Sequence, residues 1–217
     1  MLPADPEQTL HEALAAGAAG SASCDPYWGL LWPAAVKTAE LVLRLSWPAQ
    51  LRALELGCGV GLTGIAALQA GQAVTFSDHA TGAVQMAQGN ADRNGFSDVP
   101  GLVFDWQEPP ELQFDFLLAS DVLYEFASHT PLLKTLHAML APGGLVWIGD
   151  PGRKDTPQFV EQALSEDWQV ELRDESYHRL AEAAHLQFRL IVMTRREEVG
   201  RVFSVPDTPR RSFAAPP

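Results

Sequence analysis

The sequence predicts an open α/β sheet, mostly parallel and twisted, with helices on both faces. Three observations carry that expectation. Strand-length apolar runs alternate with helix-length segments along most of the chain. One run, Phe114–Ala119, is almost continuously apolar, as in a strand buried on both faces of a parallel sheet. After the first run come Gly57, Gly59 and Gly61, alternate glycines that let backbone pass close to a ligand, and Asp78 follows about 20 residues on.

The elements follow in order. An Ala-rich helix is expected from about Glu7 to Ala16, and Pro33 suits the first turn of a second helix reaching Leu45, where its missing N–H costs nothing. Strand one, Leu51–Leu56, leads to a helix over Thr63–Ala70. Strand two, Ala73–Ser77, leads to a helix over Thr81–Asn94, with Asn94-Gly95 as its stop. Strand three is placed at Leu102–Phe104 and strand four at Phe114–Ala119. A helix over Pro131–Leu140 stops at Pro142-Gly143-Gly144, and strand five covers Leu145–Ile148. A helix at Gln158–Ser165 precedes strands at Trp168–Leu172 and Leu186–Met193, which are expected to pair antiparallel.

Composition bounds the function. The 217 residues are read as one domain over 1–199, with an N-terminal helical extension to about residue 48. A tail from Gly200, with four prolines and few apolar residues, is expected to lack fixed structure. Apolar residues are 47% and charged residues 19%, so the chain can bury a core, and no apolar stretch reaches the ~18 residues of a membrane span. The start lacks the basic region of a secretory signal, which makes the cytoplasm the default location. A net charge of −12 disfavours a nucleic-acid partner and suits a basic one. Cys24 and Cys58 make no metal or redox spacing, no metal site is argued, and Cys58 is read as a loop-packing residue rather than a nucleophile.

The glycines fit two frames. Gly59, Gly61 and Gly64 match the dinucleotide fingerprint, with Asp78 near the distance expected of a ribose-binding acid, so an NAD(P)-binding oxidoreductase is one reading. If strand one ends at Leu56, the turn glycine is Gly57, and Glu55 lies in the strand just before it. That acid-x-Gly-x-Gly-x-Gly loop resembles motif I of the class I, seven-strand S-adenosylmethionine-dependent methyltransferases, whose fold is Rossmann-like. Asp121-Val122-Leu123-Tyr124 after strand four resembles the D-x-x-Y signature of the family-16 protein-lysine methyltransferases. Tyr27-Trp28-Gly29-Leu30-Leu31-Trp32-Pro33 resembles that group's aromatic entry segment, and Gly149-Asp150-Pro151-Gly152-Arg153 resembles the end of strand five in the electron-transfer-flavoprotein β-subunit lysine methyltransferases. Together these matches cover roughly residues 25 to 155.

The resemblance implies S-adenosyl-L-methionine as cofactor and assigns residues to it. Glu55, Gly57, Gly59 and Gly61 form its loop, Asp78 takes the ribose hydroxyls, Asp105 and Trp106 bracket the adenine, and Ser120 and Trp32 complete the wall. Asp121 and Tyr124 are the catalytic pair, a carboxylate to orient an amine and an aromatic face to accept its partial positive charge.

Plainer readings stand beside these. Glu55 could cap backbone groups, Asp105 could be a turn residue, Trp28 and Trp32 could be core, and Asp121 could be an ordinary helix N-cap. His79 and His129 are read as surface or loop residues. Gly57–Gly61, Asp78, Asp105 and Asp121 all fall at the carboxyl ends of strands, where open α/β sheets bind ligands. The expectation is therefore an N-methyltransferase acting on lysine side chains of a protein, with the electron transfer flavoprotein β-subunit a named target, and the chain working as a monomer without a membrane or nucleic-acid partner. Alternatives are an N-methyltransferase for a small amine or heteroaromatic nitrogen, an oxidoreductase, and a cofactor-binding protein without catalysis.

Overall fold

A computed structural model describes residues 26–48, 50–181 and 186–196. The expected helix at Glu7–Ala16, Cys24 and the segment from Gly200 lie outside them. Seven strands form one sheet: β1 Arg52–Leu56, β2 Ala73–Asp78, β3 Gly101–Val103, β4 Phe114–Ser120, β5 Leu140–Asp150, β6 Trp168–Arg173 and β7 Arg189–Arg195. Their order is β3-β2-β1-β4-β5-β7-β6, parallel except for β7, which runs antiparallel to both β5 and β6. The helices are α1 Pro33–Arg44, α2 Leu62–Gln69, α3 Thr81–Arg93, α4 His129–Met139 and α5 Thr156–Ser165. This is the expected open α/β sheet.

Strand parity makes the two cores. Phe116 and Leu118 of β4 face α1, α2 and α3 with Trp147 and Phe76, while Leu117 and Ala119 face α4 and α5 with Leu132, Leu136 and Phe159. The continuous apolar run of β4 is thus a strand buried on both sides.

Two details differ from expectation. Helix α4 ends at Met139 because Leu140 is already extended, and Pro142-Gly143-Gly144 lies inside β5 rather than closing the helix. Register slips there, from Phe114 opposite Leu140 to Phe116 opposite Leu145, so proline occupies an irregular stretch where a ladder donor is not required. The last strand in sequence also sits inside the sheet. Leu190, Ile191 and Met193 are fully buried, whereas β6 carries Gln169, Glu171 and Arg173, so the apolar strand takes the interior and the charged one the edge. Among the described residues, no helix is long and apolar enough to cross a membrane.

Sheet order reverses between β1 and β4, which opens a crevice at their carboxyl ends. Helix α1 lies over β5 at Gly149, where a Cβ would stand 1.8 Å from Oγ1 of buried Thr38. Gly149→Ala is expected to cost about 1–3 kcal/mol through overpacking. Thermal denaturation should show a lowered melting temperature, with most of the loss recovered when Thr38→Ala is added.

Candidate active site

Strand β1 delivers the chain into the glycine loop at Leu56. Gly59 and Gly61 have φ of 48° and 81°, and space forbids side chains there: a Cβ on Gly59 would stand 2.9 Å from the Trp28 carbonyl oxygen, and one on Gly61 would stand 2.7 Å from Ala87 Cβ. Two buried carboxylates hold the loop. Oε2 of Glu55 accepts the Gly64 N–H at 2.9 Å, and Oδ2 of Asp78 accepts the Gly59 N–H at 3.2 Å. Asp78 Oδ1 also accepts the Ala80 N–H at 3.0 Å and lies 3.1 Å from His79 Nδ1. Gly64, the last glycine of the dinucleotide frame, packs against the sheet, where a Cβ would meet Glu55 Oε2 at 2.5 Å and Phe76 at 2.6 Å.

Over this loop lies a cavity of about 580 Å³, within the range of small-molecule sites. Trp32, Glu55, Gly57, Gly59, Asp78, Asp105, Trp106, Ser120, Asp121 and Tyr124 all line it, so ten of the eleven residues singled out in the sequence meet at one place. Gly61 does not line it; it is the left-handed N-cap of α2. Glu55 performs its plainer role, capping Gly64, and faces the cavity as well. Asp105 likewise makes a turn, its Oδ1 accepting the Gln107 N–H at 2.8 Å, from a place in the wall.

Trp28 and Trp32 do not share a helix face. Trp28 belongs to a single 3-10 turn at Pro26–Gly29, Trp32 is the extended N-cap of α1, and Trp32 Nε1 donates to the Tyr27 carbonyl at 3.0 Å. Both tryptophans line the cavity, and the ring of Trp28 lies against α3, 3.0 Å from where a Cβ of Gly82 would be. Ser120 Oγ is 3.1 Å from Thr63 Oγ1, joining the end of β4 to the start of α2.

Asp121 is not a helix cap. Its φ is +59°, its amide donates to the Gly149 carbonyl at 2.8 Å, and α4 begins eight residues later with Ser128 at the N-cap. Its buried carboxylate instead meets Arg153, whose Nε and Nη2 lie 2.7 and 2.5 Å from Oδ1. The same guanidinium stands over Tyr124, 5.6 Å from the ring centroid. Burial raises the Asp121 carboxyl above the usual range, and the Arg153 hydrogen bond pulls against that.

Arg153 lines the cavity as well, although the sequence named it only within the Gly149–Arg153 segment and gave it no role, because 32 positions separate it from Asp121 and only the fold joins them. His129 is a correction. It is 1% exposed, held edge-on between Phe126 and Phe159, and burial lowers its pKa. Cys58 is buried and its thiol is pushed well up, chiefly by desolvation, which fits a packing role. Among the described residues, no group of three or more His, Cys, Asp or Glu is placed to hold a metal.

Burial pushes Glu55 up to about 8, outweighing the hydrogen bonds from Gly64 and Thr63 that favour its anion. A folded pKa above the usual 4.5 contributes stability that is complete below about pH 4.5 and lost as pH rises through about 8. Denaturant unfolding of the free protein should therefore show wild-type stability falling relative to Glu55→Gln across that window, by up to ~1.4 kcal/mol per pH unit. Parallel profiles would place an ionised Glu55 in the folded state.

The sequence profile of a lysine methyltransferase family matches residues 21–164, more than half of the chain. The electron transfer flavoprotein β-subunit lysine methyltransferase of Danio rerio is 30% identical over 160 residues, which are 72% of this chain and 57% of that protein. A ribosomal protein L11 methyltransferase of Photobacterium profundum is 34% identical over 96 residues, 44% of this chain and 32% of its own length. Both alignments thus span less than two thirds of the relative's own length. A TehB-like S-adenosylmethionine-dependent methyltransferase from Corynebacterium glutamicum superposes with a TM-score of 0.61 at 18% identity, over 88% of this chain and all of that one, a likeness of fold. The chain belongs to the lysine methyltransferase family and has the fold of S-adenosylmethionine-dependent methyltransferases.

Proposed function

We propose that this chain is an S-adenosylmethionine-dependent N-methyltransferase acting on lysine side chains of a protein. The observation that carries the reading is the charge of the cavity wall. Asp78, Asp105, Asp121 and Glu125 line it together with Glu55, which keeps its proton at neutral pH in the free protein, against Arg153 and His79. A nicotinamide dinucleotide brings a diphosphate, which needs open backbone amides at the helix start. Here the amides of Gly59 and Gly64 already donate to carboxylates. A cationic sulfonium nucleoside suits such a wall, and Asp78 retains lone pairs for a ribose diol beside its two amide bonds.

In this scheme the bound cofactor supplies an electrophilic methyl group, and the protein supplies placement. Trp106 and Phe104 offer an apolar surface for a purine, and Trp32 lines the same cavity. Asp121 orients the incoming amine and Tyr124 accepts part of its charge. A free lysine has a pKa of about 10.4, so the ammonium must release its proton to bulk solvent before attack, and partial desolvation in the crevice favours the neutral amine. The relative named for the electron transfer flavoprotein β-subunit, together with Gly149–Arg153, supports that protein as a target.

Incubating the full chain with methyl-labelled cofactor and cell lysate, followed by mass spectrometry, tests the substrate class. Label is expected on protein lysine. Label confined to small molecules would overturn the protein reading in favour of an amine N-methyltransferase. Asp121→Ala should lower transfer by on the order of a hundredfold while S-adenosylhomocysteine affinity stays nearly unchanged. Undiminished transfer would remove Asp121 from the mechanism.

A further inference from the structure

A second cavity, of about 390 Å³, adjoins the first. Its own walls include Pro33, Leu123, Pro151, Lys154 and Leu186, and Trp32, Asp121, Tyr124 and Arg153 line both cavities. Those four residues therefore form the partition. A buried carboxylate beside an aromatic ring is the chemistry that receives an alkylammonium ion. In this structure that position is filled by the chain's own guanidinium, bonded to Asp121 Oδ1 and standing over Tyr124.

The two members of the pair are held differently. The Asp121 side chain is 2% exposed, that of Arg153 30%. The Arg153 backbone is fixed, since its N–H donates to Asp150 Oδ2 at 3.1 Å and its carbonyl accepts from Arg189 Nη2 at 2.8 Å. The long side chain can leave Asp121 without moving the loop, and Asp155, on the second cavity, offers another anion. While it stays, it spares Asp121 from being a buried carboxylate without a counter-charge.

We propose that the second cavity is the entry channel for a primary alkylammonium side chain, and that Arg153 is its resident stand-in, ceding Asp121 and the Tyr124 face when that side chain arrives. This rests on the lysine reading for the identity of the guest. It adds a selection rule: only a cation can replace a cation at Asp121, so neutral hydroxyl groups of similar length are refused.

The test uses nitrogen-15-labelled full-length protein saturated with S-adenosylhomocysteine, with n-butylammonium as probe and n-butanol as its neutral counterpart. The Arg153 Nε–H resonance, assigned by its loss in Arg153→Lys, should move to the position of a solvent-exposed guanidinium as n-butylammonium is added. It should ignore n-butanol. Arg153→Gln should bind the probe about tenfold more tightly, a factor worth roughly 1.4 kcal/mol. Lys134→Gln, which removes a cation from the exposed face of α4 outside both cavities, should leave the affinity within about twofold, a change too small to reflect a lost ion pair. Melting temperatures of the variants, taken with S-adenosylhomocysteine, establish folding.

An unmoved Arg153 resonance, or weaker binding by Arg153→Gln, would overturn the proposal, the latter by making Arg153 a positioning residue. If S-adenosylhomocysteine fails to bind, the cofactor reading falls, and the same titration on the free protein still decides the exchange at Asp121. If n-butylammonium displaces Arg153 but no protein lysine is methylated, the substrate reading falls alone.

Discussion

Two acids holding the backbone amides of one glycine loop are the constraint on which the crevice depends. Glu55 grips the first turn of α2 and Asp78 grips the loop itself, so the end of β1, the start of α2 and the end of β2 form one unit. Two anions so close and so buried would repel. Desolvation and the neighbouring Asp78 charge both raise the Glu55 pKa, which lets the free protein keep one of the two acids neutral at ordinary pH.

A second constraint lies across the crevice. Asp150 and Arg189 are register partners on β5 and β7, both fully buried, joined by Nε to Oδ2 at 2.7 Å. The same Oδ2 accepts the amides of Gly152 and Arg153. The antiparallel strand inserted into the sheet is thus what fixes the loop carrying Arg153, and through Arg153 the setting of Asp121. Breaking a buried pair by removing one partner costs about 3–5 kcal/mol, so this support is structural as well as local.

Much of this was legible in sequence because it is local. Gly57 follows β1 directly and Asp78 ends β2, and chain order alone puts such residues at the carboxyl edge. The two-sided burial of β4 was readable from its unbroken apolar run. What escaped depends on long-range pairing. Nothing in Leu186–Met193 says that the strand enters between β5 and β6, and Arg153 acquires its meaning only when it meets Asp121. His129 looked like a loop residue until the fold placed Phe126 and Phe159 on either side of its ring. Pro142-Gly143-Gly144 read as a helix stop because a bulged strand offers the same punctuation.

The proposed function requires the acidic crevice over the glycine loop to receive a sulfur nucleoside rather than a dinucleotide. Calorimetric titration of the full chain with S-adenosylmethionine, S-adenosylhomocysteine, NAD and NADP, in wild type and Asp78→Ala, tests it most directly. Binding of the two sulfur nucleosides only, weakened in the variant, is the expected result. Binding of NAD or NADP in their place would contradict it.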